Sequence, residues 1–228
     1  MCADAFASRC FLTMRLLDER AKALIAAYNA NPRCANRYNP AAEKIYRERL
    51  RIGDPLLPEF EPCIVYGLKR FDMGRVMGPD FSVRLRRSLQ DVRTLPFVTT
   101  FRASCLSSVD LSFHGSEIMR AYQCLAPEGI LHPKKQCHVA ATKILHWLFP
   151  GLFLMMDSKV AQTFRSVFGV AYVKSTRPGY SAERYLQCLQ LAQADIRLFG
   201  AARFEMLEAN TPEARIFDKI AWASSAPS

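Results

Sequence analysis

The stretch His132–Phe168, HPKKQCHVAATKILHWLFPGLFLMMDSKVAQTFRSVF, holds the residues best placed to do chemistry. Lys134 and Lys135 fall in a basic turn ahead of a very apolar helical run. Pro150-Gly151 breaks that run, and Asp157 stands at the mouth of the next helix. A basic turn can hold a nucleic-acid backbone while a nearby carboxylate faces the sugar. The same layout also describes a helical core whose aspartate is only an N-cap, a position that Asp favours.

A second group is rich in arginine. Lys69, Arg70, Arg75, Arg84, Arg86, Arg87, Arg93 and Arg102 face only three acids, Asp72, Asp80 and Asp91. The planar guanidinium fork donates two bonds to one phosphate, and neutralising phosphates releases counterions, so such a block predicts salt-sensitive nucleic-acid binding. Arg84 and Arg87 lie one helical turn apart; Arg86 points elsewhere. A solvated helix face is the alternative.

The four histidines do not suggest a metal. His138 and His146 share a helix face but are spaced more than about 10 Å along it, too far to share one ion. No HExxH or zinc spacing occurs, so neither metal nor cofactor is expected. The eight cysteines form no CxxC pair and read as small buried hydrophobes in a reducing, intracellular compartment, cytoplasm or nucleoid/nucleus. Gly-rich phosphate loops and GxSxG are absent from the sequence.

The run VAATKILHWLFPGLFLMMDSKVAQTFR resembles the core of the helix-hairpin-helix DNA glycosylases. In that family a glycine-containing hairpin opens a helix, and an aspartate follows at the start of the next. MMDSKV matches the second element, with Asp157 in the aspartate position and Val160 as the apolar contact; Leu131-His132-Pro133 stands where the hairpin belongs. The chain departs from the pattern in three ways. Pro133, Lys134 and Lys135 replace the hairpin glycines. The family's lysine position falls on Cys137. Lys143 comes a turn and a half later, with Asp157 fourteen residues beyond it.

The resemblance implies a DNA partner and excision of damaged bases. Asp157 would stabilise the cationic sugar or orient a water, and Lys143 would be the second catalytic residue. Lys134, Lys135, Arg84 and Arg87 would hold phosphate. Trp147 and Tyr122, with Phe149 or Phe153, would line a pocket for a flipped base. On the residues alone, Lys143 reads as a surface lysine with its stem laid along the helix, and Trp147 as core. The alternative function is a non-catalytic helical interaction protein that keeps the scaffold; an enzyme acting on a small molecule has no motif behind it.

The elements that must position these residues are helical. At 228 residues, half of them hydrophobic, the chain can bury a sizeable core. Its net charge of +10 favours nucleic acid, an anionic surface or an acidic partner. Apolar periodicity predicts a helix over about 10–30. NANPRCANRYNP then breaks it, and a charged helix follows Pro40. Three prolines in 53–63 mark a connector, read as a hinge between two lobes. Asp80, Ser116, Asp157, Ser181 and Thr211-Pro212-Glu213 signal further helix starts. VTTF (98–101) and VAYVK (170–174) are β-prone but short. The whole reads as an all-α domain of eight or nine helices over residues 1–223, DNA-glycosylase-like, with 224–228 a frayed tail. No run reaches the roughly 18 apolar residues of a membrane span, and the N-terminus, interrupted by Asp4, Arg9 and Arg15, is a poor signal peptide.

Overall fold

The computed structural model describes residues 16–78, 80–172 and 180–225. Among the described residues all regular structure is helical, in eleven α-helices. These are α1 (Ala21–Ala30), α2 (Asn39–Ile52), α3 (Glu61–Arg70), α4 (Phe81–Arg93), α5 (Val98–Ala103), α6 (Gly115–Gln123), α7 (His138–Leu148), α8 (Ser158–Phe168), α9 (Tyr180–Phe199), α10 (Ala201–Glu205) and α11 (Glu213–Ser224). None of them is long and apolar enough to cross a membrane.

The apolar run at 138–148 becomes the central helix. Every residue of α7 except Val139 is buried, and α7 packs against α2, α3 and α6. Its apolar residues occupy most of the helix surface, and the polar stripe of His138, Thr142 and His146 is buried because each finds a hydrogen-bond partner inside. The helix begins at His138, because 132–137 form a loop. That loop is closed by the Cys137 N–H on the Ala126 carbonyl at 2.7 Å and by an antiparallel bridge between His132 and Lys135. It ends where Pro150 cannot donate and Gly151 comes against chain: a β-carbon there would lie 2.7 Å from the Ser104 carbonyl oxygen. The second buried helix, α11, packs on α1 and α8.

Several expectations shift. The helix over 10–30 is observed from Ala21, residues 16–20 being turns, and its first residues lie outside those described. The breakers at 29–40 do not open a loop. Only Asn31 leaves the helix, and a π-helical turn, Cys34–Tyr38, runs directly into α2. The wider turn accommodates Pro40, which lacks an N–H. VTTF is helical in α5; VAYVK is irregular through Tyr172, with 173–174 outside the described residues. The proline connector is a short 3-10 turn, Pro58–Phe60, leading into α3, and it sends Leu56 and Phe60 into the same core as the rest. Asp80 precedes α4 with a positive φ of 56° and makes no side-chain cap, while His114 rather than Ser116 precedes α6, its ring 2.5 Å from Glu117. Ser224 closes α11 and Ser225 is buried, so the expected tail does not begin at 224; residues 226–228 lie outside those described.

A non-helical segment, 152–156, threads the core with all five side chains buried. Buried backbone groups need partners, and polar side chains from three helices, α7, α9 and α11, supply them. His146 Nδ1 meets the Phe153 carbonyl at 2.6 Å, and Tyr185 Oη donates to the Leu154 carbonyl at 2.8 Å. Asp218 accepts the Met155 N–H at 3.0 and 3.1 Å, and Thr142 Oγ1 accepts the Met156 N–H at 3.1 Å. The next residue is Asp157.

Candidate active site

Asp157 caps α8 with extended backbone, its Oδ1 accepting the N–H groups of Lys159 and Val160 at 3.0 Å each. Both readings of the residue begin from this geometry. The cap is real, and it occupies one carboxylate oxygen. The half-buried side chain also borders a cleft of about 590 Å³.

Lys143 borders the same cleft, from α7. It is not the surface lysine that its helix position suggested: only 4% of it is exposed. Its Nζ lies 4.6 Å from the centre of the Phe71 ring and makes no hydrogen bond or ion pair among the described residues. Burial drives the Lys143 pKa down, with the Asp157 carboxylate opposing. A lysine held this way carries a larger share of neutral, nucleophilic amine than one in water. Beneath the cleft, Lys143 and Asp157 share a second cavity with Arg215 and Asp218, of about 10 Å³, near the minimum for a single water.

The cleft rim is basic. Arg33 comes from just before the π turn and Tyr38 from its end, Arg75 from the loop after α3, His132 and Lys135 from the loop before α7, and Lys159 from the first turn of α8. Lys159 Nζ stands 4.1 Å from the Trp222 ring centre. Asp72, with a positive φ of 60°, is the acid of the rim. It pairs with Arg33 and, at 2.5 Å, with Arg37, and it accepts the Tyr38 hydroxyl at 2.9 Å. Burial alone would raise its carboxyl pKa; the bonds from Tyr38 and Arg33 outweigh this and hold it below the ordinary value.

The other sequence-selected residues scatter. Lys135 reaches the cleft, and Lys134 is exposed beside it. Arg84 is committed elsewhere, donating to the Gly129 carbonyl at 2.8 Å, where it braces the loop before α7. Arg87 is exposed on α4, away from the cleft lining. Arg86 pairs with Glu61 and Arg102 with Asp54, so the arginine block does not form one stripe. Trp147 and Tyr122 do not line the cleft. Trp147 is fully buried against Gly67 of α3. Tyr122 sits behind His138, its hydroxyl 2.6 Å from His138 Nδ1 and 2.7 Å from Tyr172 Oη. Phe149 and Phe153 are fully buried as well. The aromatic residues that do line the cleft are Tyr38, Phe71 and Trp222. Sequence reasoning missed Arg33 and Lys159 as rim cations and named Arg75 only within the arginine block; Lys159, two residues past the cap, carried a local signal. Among the described residues no cluster of three or more His, Cys, Asp or Glu could hold a metal ion.

Compared with protein-family models, curated proteins and solved structures, the chain matches none.

Proposed function

We propose that the cleft binds DNA and that Lys143 and Asp157, at its floor, act on the deoxyribose of a base turned out of the helix, as in the helix-hairpin-helix DNA glycosylases that the sequence resembles. One observation carries this reading. The two residues selected by that resemblance, fourteen apart in sequence, border one cavity, and the lysine is buried without a hydrogen-bond partner among the described residues. As a base departs, positive charge grows on the sugar, and a carboxylate at that place lowers the barrier by electrostatic stabilisation. Lys143 supplies an amine close to the same carbon. Arg33, Arg75, Lys135 and Lys159 offer cations to the flanking phosphates. The cleft falls in the size range of small-ligand sites and has room for a nucleotide. In enzyme terms this is a DNA N-glycosylase.

A second reading has its own observation. Asp157 is already engaged by two backbone N–H groups, and a cap needs no chemistry to explain it. On that reading the chain is a helical interaction protein that keeps a glycosylase-like scaffold.

The deciding experiment is binding to a labelled duplex bearing an abasic-site analogue, beside undamaged duplex, across a salt titration. Tighter binding to the damaged duplex, with a salt slope that flattens in a Lys135→Ala/Lys159→Ala variant, is the expected result. Equal, salt-sensitive binding to both would reduce the proposal to general DNA binding. No binding at low salt would overturn it in favour of the interaction protein.

A further inference from the structure

Arg215, on α11, is a buried charge that the cleft chemistry does not use. Only 4% of it is exposed. Its Nη2 donates to Tyr28 Oη at 2.6 Å and to Asn39 Oδ1 at 3.2 Å, both neutral groups. It forms no ion pair among the described residues, and no hydrogen bond there engages Nε or Nη1. Burying a charge costs several kcal/mol unless a partner offsets it, so buried guanidinium groups are ordinarily paired. Asp218, three residues on, is spent on the Met155 N–H, and burial pushes its carboxyl well above the usual carboxylate range. It forms no direct ion pair with Arg215, although its charge is among the influences that favour the protonated guanidinium.

Besides the small cavity under the cleft, Arg215 borders a separate pocket of about 300 Å³. Asn29, Asn39 and Thr211 also line that pocket, Asn29 and Thr211 bonded to Glu208 and the Asn39 amide donating to Asn29 at 3.0 Å, and Lys219 adds a second, largely buried cation. Its acids do not compensate Arg215. Both oxygens of Glu208 accept Lys219 Nζ at 2.7 Å, and Oε1 also takes the Asn29 amide at 2.9 Å. Glu43 is exposed. What remains is the Nε and Nη1 donors of a charged, buried guanidinium beside a space larger than a water. That combination suits an oxyanion.

We propose that this pocket binds the phosphate or carboxylate group of a small molecule on Arg215, as a site distinct from the Lys143–Asp157 cleft. The inference does not depend on the cleft acting on DNA. It also gives the two sites a means of coupling. The positive charge of Arg215 is one of the influences that lower the Lys143 pKa, so an anion on Arg215 weakens that influence and favours the protonated amine.

The test is calorimetric titration of the full chain with inorganic phosphate and, separately, with acetate. Saturable one-site binding of either anion is expected; the tighter of the two identifies the group recognised. Binding should persist in a Lys135→Ala/Lys159→Ala variant, which weakens the cleft rim. It should weaken by about tenfold or more in Asn39→Asp, where a carboxylate from the chain itself meets the guanidinium. Arg215→Lys, keeping charge but losing the Nε and Nη1 donors, should fall in the same direction if it folds. Absence of saturable binding with both anions would overturn the proposal. So would binding that vanishes in the rim variant and survives in Asn39→Asp.

Discussion

Thr142 Oγ1 accepts the Met156 N–H at 3.1 Å, and each partner stands next to a candidate catalytic residue: Lys143 follows Thr142, and Asp157 follows Met156. One buried hydrogen bond therefore ties the helix that carries the amine to the segment that carries the carboxylate. Thr142 is fully buried and also donates to the Val139 carbonyl, so its hydroxyl is used in both directions. Thr142→Val keeps the shape and removes both bonds, leaving a buried N–H without an acceptor. The expected loss is about 1–3 kcal/mol in chemical unfolding. Thr142→Ser should restore most of it. Equal stability of the valine variant and wild type would show that the segment is held without this tie.

Asp157 can be divided into its two roles by two substitutions. Asparagine keeps the oxygen that accepts the Lys159 and Val160 N–H groups, and alanine does not. Asp157→Ala should therefore cost about 0.5–2 kcal/mol, while Asp157→Asn costs a few tenths at most. If the carboxylate stabilises a developing cation, Asp157→Asn should nevertheless abolish base excision. Excision by the asparagine variant at the wild-type rate would leave Asp157 a cap and nothing more.

Gly67 is required where α3 meets the central helix. A β-carbon at this position would lie 2.6 Å from Cη2 of Trp147 and 2.7 Å from Cδ1 of Ile45. The indole is fully buried and has nowhere to retreat. Gly67→Ala gains helix propensity, worth about 1 kcal/mol, but the overpacking costs typically about 1–3 kcal/mol, and with two contacts this short the clash should win. Thermal unfolding should show a lower midpoint. An unchanged or higher midpoint would mean that α3 can move away from Trp147.

How much of this was legible in the sequence differs by residue. The very apolar helix at α7 was readable from its residues, and the break after it from Pro150-Gly151, but its burial on every side was not. The Asp157 cap was readable from residue type and place alone. The helicity of VTTF was not, because β-branched propensity is weak beside tertiary packing and Val98 and Phe101 are buried. Nor was the continuity of 32–52: a π turn absorbs Pro40 in a way that residue type does not announce. Lys143 was misjudged because exposure was inferred from its charge, whereas the helix is surrounded on every side. Arg84 looked like a phosphate ligand, but its carbonyl partner, Gly129, is 45 residues away. Rim cations such as Arg33 and Arg75 are brought to the cleft by turns whose path sequence periodicity does not describe.

The buried His146 gives the fold a pH dependence of definite sign. Its ring lies between Tyr46 Oη, 2.5 Å from Nε2, and the Phe153 carbonyl, 2.6 Å from Nδ1. Neutral imidazole fits if Nδ1 carries the proton and Nε2 accepts from the tyrosine. Burial lowers its pKa from 6.5 to about 3, the Phe153 bond opposing and Arg215 and Lys143 adding to the depression. The unfolded chain takes up this proton as pH falls below about 6.5, while the folded chain does not until about 3, so the site destabilises the fold progressively through that window. Each unit of difference is worth about 1.4 kcal/mol. Asp218, 3.7 Å from the same ring, works in the opposite direction. Burial raises its pKa well above 3.8, so its contribution is present at low pH and lost as pH rises. His146→Gln removes the titrating ring while keeping a donor toward the Phe153 carbonyl. Urea unfolding between pH 7 and pH 4 should then show a shallower fall in stability on the acid side than wild type, whatever the variant loses at neutral pH. An identical slope in the two proteins would assign the acid limb to other groups.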